Sequence, residues 1–364
     1  MSANEIIQDD FIRKQVNLER VKEGSRKRIA GVLNKLEKRI LAMVSSADTK
    51  TNGQLKKASL DDLFEEIENL VDKTFANEVR GIVEKDLKNV SRTSRMVTKN
   101  SINRAAGAEI VDVRTSPQVA QRDFNRLDVQ GVRVVDQLQR QADATSTRVI
   151  DRINLGVNQG LGVDEIVRSI RGTSANNFKD GLIQTSKNDA TRLVRTSINE
   201  ISNKSALEAF QENNDVIEAI EQVSTLDTRT SDICKAYDGA VWDVNTLEPI
   251  PPNNLPFRGG PPRHWNCRSI LVPITKSLED LGISTRKKNQ VEDKTEGTRR
   301  AFDGDVPESQ TYEQWLRNQS EPRQIEALGR KKWELWNQGK LNFRQLVDQR
   351  GNALSSDALV QKFE

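Results

Sequence analysis

Histidine is almost missing from this 364-residue chain. His264 is the only one, and Cys234 and Cys267 are the only cysteines. A single histidine excludes sites that need several imidazoles to ligate a metal and activate water, including HNH-like nuclease centres. Two cysteines exclude a disulfide framework. Aromatic residues make up 5% of the chain and hydrophobic residues 35%. That is little for a thick core. No run reaches about 18 apolar residues, so no membrane span is expected. The opening MSANEIIQDD is polar and acidic. It lacks the basic-then-apolar layout of a secretion signal, so synthesis in a reducing cytoplasm is expected. Excess charge is missing too: 56 Lys and Arg stand against 53 Asp and Glu, a net of +3. Only a local basic stripe could argue for nucleic acid.

What is present is charge of both signs, 30% of the chain, laid over helical periodicity. Ile29, Leu33, Leu36, Ile40 and Met43 keep a 4-3-4-3 spacing that lines one helical face. SLDD at 59–62 reads as a capping box, ahead of Leu60, Leu63, Ile67, Leu70 and Val71. Val83, Leu87, Val90 and Val97 mark a third helix; Val135, Leu138, Ala142, Val149 and Ile153 belong to a fourth. These stripes are narrow, so residues 1–155 read as a helical, partner-binding region. The third helix also carries Lys88, Arg92, Arg95 and Lys99 at 4-3-4 spacing. Two readings stay open: a solvated face, or a stripe that tracks phosphates.

Residues 156–275 read as helices followed by a small α+β module. Gly172 ends a short helix, and a longer one buries Leu193, Ile198, Ile201, Leu207 and Phe210. On the latter, Arg195, Thr196 and Asn199 are expected to bond to neighbouring backbone. VIEAIEQVST, AVWDV and SILVPI are three short strands, with a small helix near 230–236. A Pro-rich loop, EPIPPNNLPFRGGPP, separates the last two strands. Residues 276–308 are polar and read as an extended connector. TYEQ at 311–314 is a second capping box, opening a helical tail over 309–364 that holds Trp315, Trp333 and Trp336. The expected fold is mostly α: an elongated helical N-terminal region, a small α+β module and a short helical tail.

GGPPRHWNCRS, 259–269, joins His264 and Cys267 to an apolar run. With Cys234 they are three borderline or soft donors, where a structural zinc takes four. Asp227 or Asp232 could supply the fourth. Alternatively the cysteines bury as small apolar groups while His264 bonds the loop, or the cysteines form a disulfide. A Cys-His nucleophile pair needs a base in reach and a third group to orient it, which a spacing of three does not supply.

At these residues the chain resembles the phage Mu F-like minor head proteins, the head morphogenesis family. The run STLDTRTSDICKAYDG, then the Pro/Gly-rich loop, then PPRHWNCRSILVPI, is similar to that family's motif. Asp227, Arg229, Cys234, Gly239, Pro262, His264, Cys267 and Arg268 fit it. Ser231 and Ser269 stand where the family has cysteines. The helix ATRLVRTSINEISNKSA and the tail are similar to the family's as well, so the resemblance spans about 156–350. It implies a structural minor head protein of a tailed phage, without enzymatic activity, located in the virion at the capsid interior or portal vertex. Implied roles are head assembly, DNA packaging or DNA ejection. Implied partners are the portal protein, capsid or scaffold proteins, and packaged double-stranded DNA bound without sequence preference. No membrane or cofactor is expected, and with the two serines zinc is the one metal left to test. The rival readings are a metal-dependent nuclease or ADP-ribosyl-transfer enzyme carried in the head, and a scaffold or chaperone absent from finished particles.

Overall fold

The computed structural model describes residues 3–50, 52–283, 298–301, 303–307 and 310–363. The protein is mostly helical, with a small sheet, as the sequence implies. It divides into two compact units. A helical unit comprises Glu19–Asn89 and Phe124–Ile198; a sheet unit comprises Met1–Leu18, Val90–Asp123 and Asn199–Glu364. This differs from a boundary near residue 155. The long helices α1 (Ala3–Ser46), α3 (Arg80–Ala106) and α7 (Leu182–Glu212) each contribute to both units. A continuous helix shows no composition break that would mark such a division.

In the helical unit, α1 buries Ile29, Leu33, Leu36, Ile40 and Val44. Helix α2 (Leu60–Lys73) buries its expected face, Leu60, Leu63, Ile67, Leu70 and Val71. The capping box at Ser59 does not form. A 3-10 turn over Lys57–Ser59 runs straight into α2, and the Ser59 hydroxyl donates backward to the Lys56 carbonyl at 3.0 Å. Helices α2 and α3 are joined by a π-helical segment, Thr74–Val79, where the buried Thr74 hydroxyl donates to Leu70 O. Helix α4 (Pro117–Asn125) leads to a two-residue ladder, β1 (Asp128–Val129) with β2 (Val132–Arg133). Helix α5 (Val134–Asn158) buries Leu138, Ala142, Val149 and Ile153. Helix α6 (Val163–Arg171) stops at Gly172, whose φ of 88° is the left-handed region glycine favours. A β-carbon at Gly156 on α5 would sit 2.6 Å from Ile166, so glycine is what lets α5 and α6 approach.

The sheet unit is built on three antiparallel strands in the order β4-β3-β5: β3 (Ile217–Val223) in the centre, β4 (Ala240–Asp243) and β5 (Ile270–Thr275) at the edges. Helix α8 (Asp232–Tyr237) lies between β3 and β4 in sequence. All three strands and this helix fall where the sequence places them. The open edge of β5 is closed by side chains. Leu271 N–H donates to Asn203 Oδ1 at 2.9 Å, Thr275 N–H to Asn4 Oδ1 at 3.0 Å, and Pro273 between them has no N–H. An edge strand without free donors offers no template for another strand.

The connector over 276–308 is partly ordered, contrary to expectation. Strands β6 (Thr298–Ala301) and β7 (Gly304–Pro307) form a hairpin; 284–297 lie outside the described residues. Arg299 on β6 is 4% exposed and grips both oxygens of Asp238, at 2.5 and 3.1 Å. The tail, α9 (Tyr312–Arg317), α10 (Glu321–Leu328), α11 (Arg330–Asn337) and α12 (Ser356–Phe363), packs on this sheet as a helical cap. The TYEQ capping box forms, with Thr311 and Gln314 bonded reciprocally. Tyr312 Oη donates to Asp227 O, and Trp315 and Trp336 join the same core as Ile220 and Trp242.

Candidate functional site

The residues of the motif meet in the sheet unit at the exit of β3, the start of α8 and the entry to β5. Ser231 caps α8, its hydroxyl accepting from Cys234 N–H, and this turns Cys234 inward. The long loop returns through Pro262 to His264 and Cys267. Cys234 Sγ lies 3.2 Å from His264 Nε2 and 3.6 Å from Cys267 Sγ. The thiols are free and both buried, and 3.6 Å is well beyond the roughly 2.05 Å of a disulfide. His264 Nδ1 donates to the Trp265 carbonyl at 2.9 Å, which fixes the ring.

Charge in the trio is divided unevenly. Burial would raise the Cys267 thiol, but hydrogen bonds from Cys234 and His264 overrule it and hold Cys267 well below the usual range. The Cys267 contact and then burial push Cys234 up. Burial would lower His264, yet bonding to Cys267 and that thiolate's charge raise it. Both shifts favour the charged forms, a thiolate at Cys267 and a cation at His264. A base in reach of a thiol does therefore exist here, brought by Cys234 from thirty residues away rather than by the local spacing. Both sulfurs are buried, so no substrate reaches them in this conformation.

The same atoms fit three corners of a zinc site. At a Zn–S distance of about 2.3 Å a tetrahedron has edges of about 3.8 Å; the three donor atoms lie within 4.8 Å of one another. The Nδ1–H bond to Trp265 leaves Nε2 as the ligating nitrogen. Among the described residues no further thiol, imidazole or carboxylate completes the set. Asp227, expected as a fourth ligand, is turned away: it accepts two bonds from Arg268, at 2.5 and 2.8 Å, and one from Thr230. Burial works to raise its carboxyl, but Arg268 outweighs it and holds Asp227 below the ordinary range. Asp232 is taken by Lys235 and Lys332. Ser231 and Ser269 are engaged elsewhere: the Ser231 hydroxyl accepts from Cys234 N–H and the Ser269 hydroxyl bonds Ser224 Oγ.

The remaining motif residues act as ties. Arg268 links the β5 entry to Asp227 after β3, across 41 positions, and its carbonyl accepts from Gln15 on α1 at 2.6 Å. Ser269 O accepts from Asn199 and Asn203 on α7, and Ser269 Oγ bonds Ser224 Oγ at 3.0 Å. Gly239 holds φ at 69° in the turn into β4, its N–H donating to Gln222 O. The Pro261–Pro262 peptide is cis. Arg229 is exposed; its backbone N–H donates to Asp227 Oδ1 at 3.1 Å and its guanidinium lies 3.6 Å from Asp227 Oδ2. Sequence reading missed Arg263. Its guanidinium stacks 3.4 Å from the Tyr237 ring centroid, and its Nε donates to Gln222 at 2.7 Å. Burial lowers its pKa to about 10. No local spacing signals this, because both partners precede Arg263 by more than twenty residues.

The basic stripe on α3 does not survive. Arg95 is 0% exposed and bonded to Asp123, Glu208 and Glu212. Of these acids only Asp123 is buried; burial works upward on it, but Ser91, Arg95 and Arg122 hold it below its ordinary value. Lys88 is paired with Glu84 at 2.6 Å and Lys99 with Asp112 at 2.7 Å. Arg92 is exposed, and no ion pair among the described residues engages it. No helix among the described residues is long and apolar enough to cross a membrane.

No curated protein and no solved structure gives a match. A family match does exist, and it begins in α5 and ends in β5, taking in every residue of the latch from Asp227 to Arg268. Residues 147–272 match the family described as Phage Mu protein F like protein, the family that the motif resembles.

Proposed function

We propose that this is a structural minor head protein of a tailed phage, placed in the virion at the capsid interior or portal vertex. Its partners are the portal protein, neighbouring capsid or scaffold proteins, and packaged duplex DNA touched without sequence preference. Its work is head assembly, packaging or ejection, and it is not an enzyme. The observation that carries this reading is the Phage Mu F-like match over 147–272. The geometry is in keeping with it. The residues that could do chemistry are used as ties: Asp227 holds Arg268, His264 holds the two thiols, and both thiols are buried. The test is mass spectrometry of purified virions against DNA-emptied ghosts. The protein is expected in virions; its absence from finished particles would favour a scaffold or chaperone. A nuclease assay with added divalent metals is expected to show no cleavage.

A further inference from the structure

Two helices of the helical unit expose charge of one sign each. From Arg20 to Arg39, every exposed charged side chain on α1 is a cation: Arg20, Lys27, Arg28, Lys35, Lys38 and Arg39. The acids of that stretch, Glu19, Glu23 and Glu37, are less exposed, and each is paired with a cation. Helix α2 is the reverse. Asp61, Asp62, Glu65, Glu66, Glu68 and Asp72 are all exposed, with Lys73 the one exposed cation. No ion pair among the described residues engages these six carboxylates.

The rows are compact and of equal length. At 100° per residue, Lys27, Lys35 and Lys38 share an arc of about 80°, and Asp61, Glu65, Glu68 and Asp72 one of about 60°. Lys27 to Arg39 spans about 18 Å of helix and Asp61 to Asp72 about 17 Å. Along the α1 row lie Gly24 and Gly31, in helical backbone with no positive φ to require glycine. A β-carbon on Gly31 would meet nothing within 4 Å, and one on Gly24 only the tip of Arg28, at 3.4 Å. Glycine is a poor helix former, and here neither conformation nor internal packing explains it. A close approach from outside would.

Like charges three and four residues apart repel along each row. A duplex would relieve α1 alone and be repelled by α2. A surface carrying the other row relieves both, and this chain carries both. We propose that the Lys27–Arg39 face of α1 docks on the Asp61–Asp72 face of α2 in a second copy of this chain, with Gly24 and Gly31 admitting the partner helix. This self-association does not depend on the functional reading above.

The test is sedimentation of the full chain with two charge-reversed variants. One is Lys35→Glu/Lys38→Glu/Arg39→Glu on α1; the other is Glu65→Lys/Glu66→Lys/Glu68→Lys on α2. All six side chains lie on exposed or half-exposed helix faces, and thermal melts confirm that each variant folds. Wild type is expected to associate at low salt and to dissociate near 1 M salt, where charges are screened beyond roughly 3 Å. Each variant alone should associate about tenfold more weakly or not at all, and an equal mixture of the two should recover the wild-type constant. A monomeric wild type, a variant that self-associates as tightly as wild type, or a mixture that stays dissociated overturns the proposal. So does a monomer that binds a short duplex and loses it in the α1 variant, which would give the face to nucleic acid.

Discussion

Helices α1 and α3 carry nearly the same basic pattern and use it in opposite ways. On α3, Lys88, Arg92, Arg95 and Lys99 repeat every three or four residues, yet Arg95 is sealed among Asp123, Glu208 and Glu212. On α1, Lys27, Lys35, Lys38 and Arg39 face water, and of the four only Lys27 has an ion pair among the described residues, with Glu23 at 3.9 Å. The difference spreads through both units. The sheet unit takes charge inside and pairs it, as in Arg268 with Asp227 and Arg299 with Asp238. In the helical unit Lys22 is buried against Glu19 as well, but α1 and α2 sort their exposed charge by sign. Spacing tells which side chains share a face; it does not tell which face the core claims.

The buried polar set responds most strongly to a change of one atom. Ser269→Cys gives the Cys234, His264 and Cys267 trio a fourth donor, and structural zinc sites are worth about 10–16 kcal/mol of apparent binding. Metal analysis of protein purified without chelator should find no stoichiometric zinc in wild type and one equivalent in Ser269→Cys. One equivalent in wild type, lost in Cys234→Ala, would sink the metal-free account.

Next comes the pair of helices themselves. Arg95→Met leaves Asp123, Glu208 and Glu212 without their shared cation, so unfolding should be easier by about 3–5 kcal/mol. Lys38→Gln on α1 should stay within about 0.5 kcal/mol. Equal losses in thermal melts would erase the distinction between the two stripes.

Glu221 on β3 gives a smaller, pH-dependent effect. Burial, and then the charge of Asp238, raise it from 4.5 to about 7. A carboxyl raised in the folded state binds its proton more readily when folded. Its contribution is therefore complete below pH 4.5 and lost as pH rises through about 7. Glu221→Gln should stabilise by about 1–3 kcal/mol at pH 8 and be neutral at pH 4. A gain of the same size at both pH values would mean that packing, not titration, governs this position.

Much of the architecture was legible in the sequence. The strands at 217–223, 240–243 and 270–275 alternate or run apolar between clear turns, and TYEQ behaves as a capping box. SLDD failed because a 3-10 turn already occupied Ser59. The hairpin at 298–307 was missed although Asp303-Gly304 is a turn signal, because its strands are polar and Arg299 looks solvated until Asp238 is brought to it. The site was half legible. Donor types and the missing fourth ligand follow from counting residues. The choice between Asp227 as ligand and Asp227 as partner of Arg268 depends on a contact across 41 positions, which no local pattern encodes.

The loop around His264 acts as a latch, holding α8 to the entry of β5 through the contacts of Cys234 with His264 and Cys267. Urea unfolding of His264→Ala tests it most directly. The latch account predicts a loss of about 1–3 kcal/mol, from buried thiols left without their partner, with no change in any activity of the protein. A variant as stable as wild type that has lost a measurable catalytic activity would contradict it.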